Sequence, residues 1–161
     1  MRRIGGFVDW RVMRTDLHKI DIQIASRLPA IPSERMFKKW LLAALPKPAE
    51  LTLRVVNGAE GRKLNNVFRS KDYATNVLTF VYHEKKSLTL VGDIVLCAPV
   101  VAREAHDQGK SREAHYAHLT VHGVLHLIGM DHNVMRAARA MERREIAILA
   151  TLGYANPYVQ S

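Results

Sequence analysis

The chain has 161 residues, 48% of them hydrophobic, enough for one domain with a substantial core, and no apolar run approaches the roughly 20 residues of a bilayer span, so no membrane partner is expected. Lysine and arginine outnumber aspartate and glutamate 24 to 15, a net charge of +9 with a pI of about 10.0, which favours a polyanionic partner. The single cysteine, Cys97, excludes an internal disulfide framework and fits a reducing compartment, with cytoplasmic localisation expected; inside the apolar run VGDIVLC it reads as a small buried hydrophobe.

Residues 1–18 read as a basic N-terminal extension, and 19–161 as a single domain. Arg2, Arg3, Arg11 and Arg14 lack the long apolar neighbour of a secretory signal. An extension or an early start codon accounts for them, and they also suit an organellar presequence. Lys19 to Ala25, KIDIQIA, alternates as a strand with one buried face does. Ser33 then stands as N-cap to a helix through Met36, Phe37, Trp40, Leu41 and Ala44, closed by Pro46 and Pro48. Leu51 to Val56 is a second strand. Ala59 to Phe68 reads as a short helix with Leu64, Val67 and Phe68 turned inward. Val77 to Tyr82 and Leu88 to Cys97 are β-rich runs around a polar turn, the pattern of an antiparallel hairpin. After Pro99 the periodicity turns helical: Pro99 to His106, Ser111 to Ile128, and about Val134 to Leu152, ending at Gly153. Neither a repeat nor an internal linker interrupts this order. The fold class is therefore α+β, a small mixed β-sheet covered by helices.

The helix from Ser111 to Ile128 is apolar at Ala114, Ala117, Val121, Val124, Leu125 and Ile128, which predicts a central, packed element. It also carries His122 and His126. A four-residue step rises about 6 Å and turns roughly 40° past a full turn, so both rings leave one face. Gly129 tolerates the left-handed conformation that ends helices, and His132 can return from the turn beyond it. Three imidazoles so arranged make an open metal site, with nitrogen donors that favour zinc. The order His122-x-x-x-His126-x-x-Gly129-x-x-His132 has the spacing of the metzincin peptidases, but Gly123 stands where those enzymes carry the glutamate that acts as general base. His118, one turn before His122, is expected either in support of the site or facing substrate, or as a packed core residue. His18, His83, His106 and His115 read as surface histidines. A metal able to activate water beside a basic surface suits phosphodiester hydrolysis.

The stretch His122-Gly123-Val124-Leu125-His126-Leu127-Ile128-Gly129-Met130-Asp131-His132 closely resembles the hallmark H-G-x-L-H-L-x-G-x-D-H of the YbeY family of bacterial single-strand-specific metallo-endoribonucleases. Leu64 to Phe80 resembles that family's arginine-containing segment leading into T-N-V-L-S-F, and Gly92-Asp93-Ile94 and Leu152-Gly153-Tyr154 fit as well. The resemblance covers about Ile20 to Tyr158. It implies one zinc ion per chain on the three motif histidines and Arg69 as a further functional, catalytic position. It also implies single-stranded RNA, ribosomal RNA and the ribosome as partners, in 3′ end maturation of small-subunit ribosomal RNA and in ribosome quality control. Met130 stands where the family often has Tyr or His, Ser70 where Gly usually follows the arginine, Tyr73-Ala74 where Lys-Pro is common, and Thr79 where Ser is usual.

On this reading zinc-activated water attacks the phosphodiester, with attack by the RNA 2′-hydroxyl the alternative route, and Arg69 offers a planar cation where charge builds. Spacing alone would make Arg69 a solvated surface residue; the resemblance raises it. Two rivals remain on the residues themselves: a zinc peptidase-like hydrolase, and a non-catalytic ribosome-associated protein with structural zinc, which would ordinarily need a fourth protein ligand.

Overall fold

A computed structural model describes residues 17–159. Of the basic extension, residues 1–16 lie outside the described residues. The elements follow in the order β1 (Lys19–Ile24), α1 (Glu34–Ala44), β2 (Ala49–Val56), α2 (Gly58–Arg69), β3 (Val77–Val81), β4 (Leu90–Cys97), α3 (Ala98–Asp107), α4 (Arg112–Leu127) and α5 (Met135–Thr151).

Local chemistry sets most of the helix ends. Ser33, Asn57 and Ser111 each accept a hydrogen bond from the backbone N–H three residues on, satisfying a donor that the first turn leaves free. At the far end of α4, Gly129 adopts φ +95°. The N–H groups of Gly129 and Met130 then donate back to the carbonyls of His126 and Leu125, which closes the helix and turns the chain toward His132.

The four strands form one mixed sheet in the order β1-β2-β4-β3. β1 and β4 run parallel to β2, and β3 pairs antiparallel with β4 as the expected hairpin. The parallel pairings join strands separated by helices, and they give the mixed, α+β character. One face of the sheet, with Leu51, Leu53, Ile94 and Leu96, meets α1, α4 and α5 in the main core. An edge-to-face contact of Phe37 with Tyr116, at a centroid distance of 5.8 Å, joins α1 to α4, and Phe37 meets Trp40 of its own helix in the same way at 5.4 Å. The other face is only partly covered: Val56, Leu78, Val95 and Cys97 form a small second core under α2, in which Cys97 is buried as expected.

Two expectations need correction. Val67 and Phe68 are exposed, not turned inward. The buried residues of α2 are Gly61 and Asn65, so the helix rests on the sheet through a small residue and an amide that donates to the Tyr73 carbonyl. Phe68 instead packs edge-to-face on Phe80. His115 is not a surface histidine: it is 3% exposed, and its Nε2 lies 3.0 Å from Glu104 Oε1, the partner that makes a buried imidazole tolerable. His106 is exposed as expected, while His83 is half-buried beside the Val91 backbone.

No helix among the described residues is long and apolar enough to cross a membrane.

Candidate functional site

α4 is buried along ten of its sixteen residues, so its two exposed-face histidines stand on a fixed support. The rings of His122 and His126 are 4.6 Å apart, and His132, delivered by the Gly129 turn, lies 5.1 Å from His126 and 5.8 Å from His122. One nitrogen from each ring falls within 4.8 Å of the others. Asp131 fixes the turn that carries the third ring, accepting from the backbone N–H of His132 at 2.6 Å and of Asn133 at 3.0 Å.

A carboxylate that the sequence reading missed sets the orientation of the first histidine. Glu145, on α5, is fully buried; it accepts a short hydrogen bond from His122 Nδ1, one from His118 Nε2 at 3.0 Å, and a short one from the Tyr158 hydroxyl. Burial alone would raise its pKa, but the donors from His118, His122 and Tyr158 outweigh burial and hold it at about 2. It is therefore an anion, and His122 must carry its proton on Nδ1, leaving the Nε2 lone pair for the cavity. Tyr158 feels the converse: burial and the anion beside it raise its pKa, so it stays a donor. One signal for Glu145 was present, because it sits four residues from both Met141 and Leu149 on the buried stripe of α5, where an acid needs a reason.

His126 is held in its neutral form. Burial, and then the charges that His122 and His132 would carry, lower its pKa to about 4. Among the described residues the rings of His126 and His132 make no hydrogen bond, so their donor nitrogens are uncommitted. Three imidazoles, one of them braced by a buried carboxylate, fit the donor set of an open zinc site.

Arg69 reaches the same cavity from the end of α2. The cavity is about 420 Å³ and is lined by Arg69, Asn76, Thr79, Asp131 and the three histidines among others. Arg69 is exposed, and its Nη2 donates only a long 3.5 Å hydrogen bond to the Thr79 carbonyl, so most of the guanidinium is free for a ligand. All four residues singled out from the sequence are thus brought together. His118 stands behind them, supporting the site through Glu145.

Gly123 answers the comparison with the peptidases. A Cβ placed there would come within 3.1 and 3.2 Å of Ile94 side-chain carbons, so position 123 faces the sheet and not the cavity. A larger cleft of about 580 Å³ lies over the opposite, polar face of the sheet, between Asp21, Glu50 and Asp93.

The family described as endoribonuclease YbeY matches residues 21–153. The endoribonuclease YbeY of Aromatoleum aromaticum is 59% identical over 127 residues, 79% of this chain and 81% of the relative. That of Nitrosomonas eutropha is 54% identical over 138 residues, 86% of this chain and 96% of the relative. Among solved structures, the solution structure of a Thermotoga maritima protein superimposes with a TM-score of 0.54 at 21% identity, covering 82% of this chain and 91% of that one, a likeness of fold alone. With a match over most of its length, and with the hallmark histidines gathered in one cavity, this chain belongs to the YbeY endoribonuclease family.

Proposed function

We propose that the protein is a metal-dependent endoribonuclease specific for single-stranded RNA. It acts in 3′ end maturation of small-subunit ribosomal RNA and in ribosome quality control, in the cytoplasm. One zinc ion is held by His122, His126 and His132, and Arg69 is the catalytic cation. The observation that carries this reading is the convergence of three imidazole nitrogens and a free guanidinium on one cavity of a chain with net charge +9.

When bound, the ion supplies Lewis acidity and a source of hydroxide near neutral pH. The residues do the rest. Glu145 fixes the His122 tautomer through Nδ1, and the low pKa of His126 keeps its lone pair available at neutral pH. Asp131 holds the turn that presents His132. Arg69 offers a planar pair of donors to a phosphate whose charge grows in the transition state. Position 123 holds no base, and none can reach the cavity from there.

The test is cleavage of defined single- and double-stranded RNAs and of peptides by the purified, metal-analysed protein. The wild type should cut single-stranded RNA only. His126→Ala should lose most of the zinc together with the activity. Arg69→Ala should keep zinc and melting temperature but lose about 2–4 kcal/mol of transition-state stabilisation, with Arg69→Lys recovering part of it. Metal-dependent peptide hydrolysis without RNA cleavage would reverse the reading in favour of the peptidase. A zinc-loaded protein with neither activity would favour a structural role for the ion.

A further inference from the structure

The histidine cavity has a neighbour. A second cavity of about 320 Å³ adjoins it, with Asn76, Val77 and His122 lining both. It extends along α4 past His118 toward Lys110, under the segment after α5 that carries Pro157 and Tyr158. Its size lies near the lower end of small-ligand sites, about 300–1,000 Å³, which suits one nucleotide and not a duplex.

The charges in its wall are unevenly committed. Glu104 accepts from His115 Nε2 and Asn76 Nδ2, each at 3.0 Å, and Glu145 below the wall accepts from three donors. Both acids are therefore turned to donors of the protein itself, and neither makes an ion pair with Lys110. Lys110 is half-buried, and its ammonium makes one hydrogen bond, 2.6 Å to the Pro157 carbonyl, with no carboxylate in ion-pair range among the described residues. A cation with two N–H groups to spare at the end of a cavity calls for an anion. Tyr158 is held by its hydroxyl on Glu145 and by an edge-to-face contact with His118 at 5.3 Å, yet it remains 44% exposed. It is a fixed aromatic surface beside that cation.

We infer that this cavity seats the nucleotide adjoining the scissile phosphate of a single-stranded RNA, its own phosphate on Lys110 and its unpaired base against the Tyr158 ring. The inference rests on the ribonuclease reading and deepens it. His118 precedes His122 by one helical turn, about 6 Å along the axis, so a strand with one phosphate beside Arg69 and His122 carries its next nucleotide over this wall. Stacking on a tyrosine accepts any base but requires that its face be free. A base held in a duplex keeps its neighbours on both faces and cannot enter without being turned out, which is a physical source of single-strand preference.

The experiment uses the full-length, zinc-loaded protein and a single-stranded oligoribonucleotide with one mapped cut. An abasic nucleotide is placed at each of the two positions flanking the cut, and at a distant control position. One flanking substitution should lower kcat/KM by about tenfold, within the range of a single stacked base, and the control should have little effect. Tyr158→Phe keeps the ring and should retain this base dependence; Tyr158→Leu should erase the difference between intact and abasic RNA. Lys110→Gln keeps a donor for Pro157, and it should leave zinc content unchanged while reducing the slope of log affinity against log salt by about 1. Equal kcat/KM for intact and abasic RNA at both flanking positions, or an unaltered salt slope in Lys110→Gln, overturns the subsite and leaves the ribonuclease reading standing. Failure of the wild type to bind or cut any single-stranded RNA overturns the ribonuclease reading itself.

Discussion

Helices α4 and α2 bring the histidines and the arginine to one cavity, yet they hold them in opposite ways. α4 is buried over most of its length, packs against α1 and two strands, and has its His122 ring braced from behind by Glu145. α2 buries only Gly61 and Asn65 and presents Arg69 from its exposed last turn, just before a left-handed residue. The difference matches what each group must do. Ligands to a small ion would tolerate little error in position, and two of the three histidines sit on the rigid helix, whereas a guanidinium meeting a flexible strand could adjust to its phosphate.

Three perturbations test how deep that contrast runs. The largest effect is expected from Gly123→Glu, which installs the residue of the peptidase pattern on α4. Its Cβ would press on Ile94 and its carboxylate would be buried without a partner, costing about 3 kcal/mol or more. Thermal unfolding measures this, and a variant as stable as wild type would show that α4 has more freedom than its packing indicates. The next effect is set by pH in the metal-free protein. His126 takes up a proton less readily when folded, at about 4 against an ordinary 6.5, so the unfolded chain binds protons first and stability falls as pH drops from 6.5 toward 4. Roughly 2 kcal/mol is at stake, allowing for the partial exposure of the ring. Glu145, depressed to about 2, adds a separate loss below about 4.5. Denaturant unfolding across this range should show the first limb flattened in His126→Gln, and an unchanged slope would assign it elsewhere. The smallest effect belongs to α2: Ser70 sits at φ 56°, and Ser70→Gly should stabilise by about 0.5–1 kcal/mol without altering zinc content. A loss of stability there would mean that the Ser70 side chain, and not its backbone, holds the end of α2.

What the sequence made legible was local. The histidine triad could be read because helix geometry fixes which residues share a face, and because Gly129 marks where the backbone turns. Ser33 was readable as a cap because a serine hydroxyl just before an apolar-periodic run can accept from the first turn. The β3-β4 hairpin was legible through its short turn, while the parallel pairing of β2 with β1 and β4 joins segments separated by helices, and no local pattern encodes it. Glu145 was missed because 23 residues and a turn separate it from His122. His115 was misjudged because its burial depends on Glu104, which belongs to another helix. Val67 and Phe68 were placed inward on hydrophobicity alone, but Asn65 took the buried position because the Tyr73 carbonyl satisfies its amide.

Arg69 has a second consequence, for solubility. β3 is an outer strand whose pairing with β4 turns the N–H and C=O groups of Val77, Thr79 and Val81 outward, and one of those carbonyls is the acceptor for Arg69. A bare strand edge invites the edge of another molecule, and a bulky charge lying across it is a common deterrent. The same guanidinium that would meet a phosphate therefore guards this edge against self-association. The rate of an Arg69→Ala protein is meaningful only for preparations shown to be monodisperse, since removing the side chain also uncovers a template for strand addition.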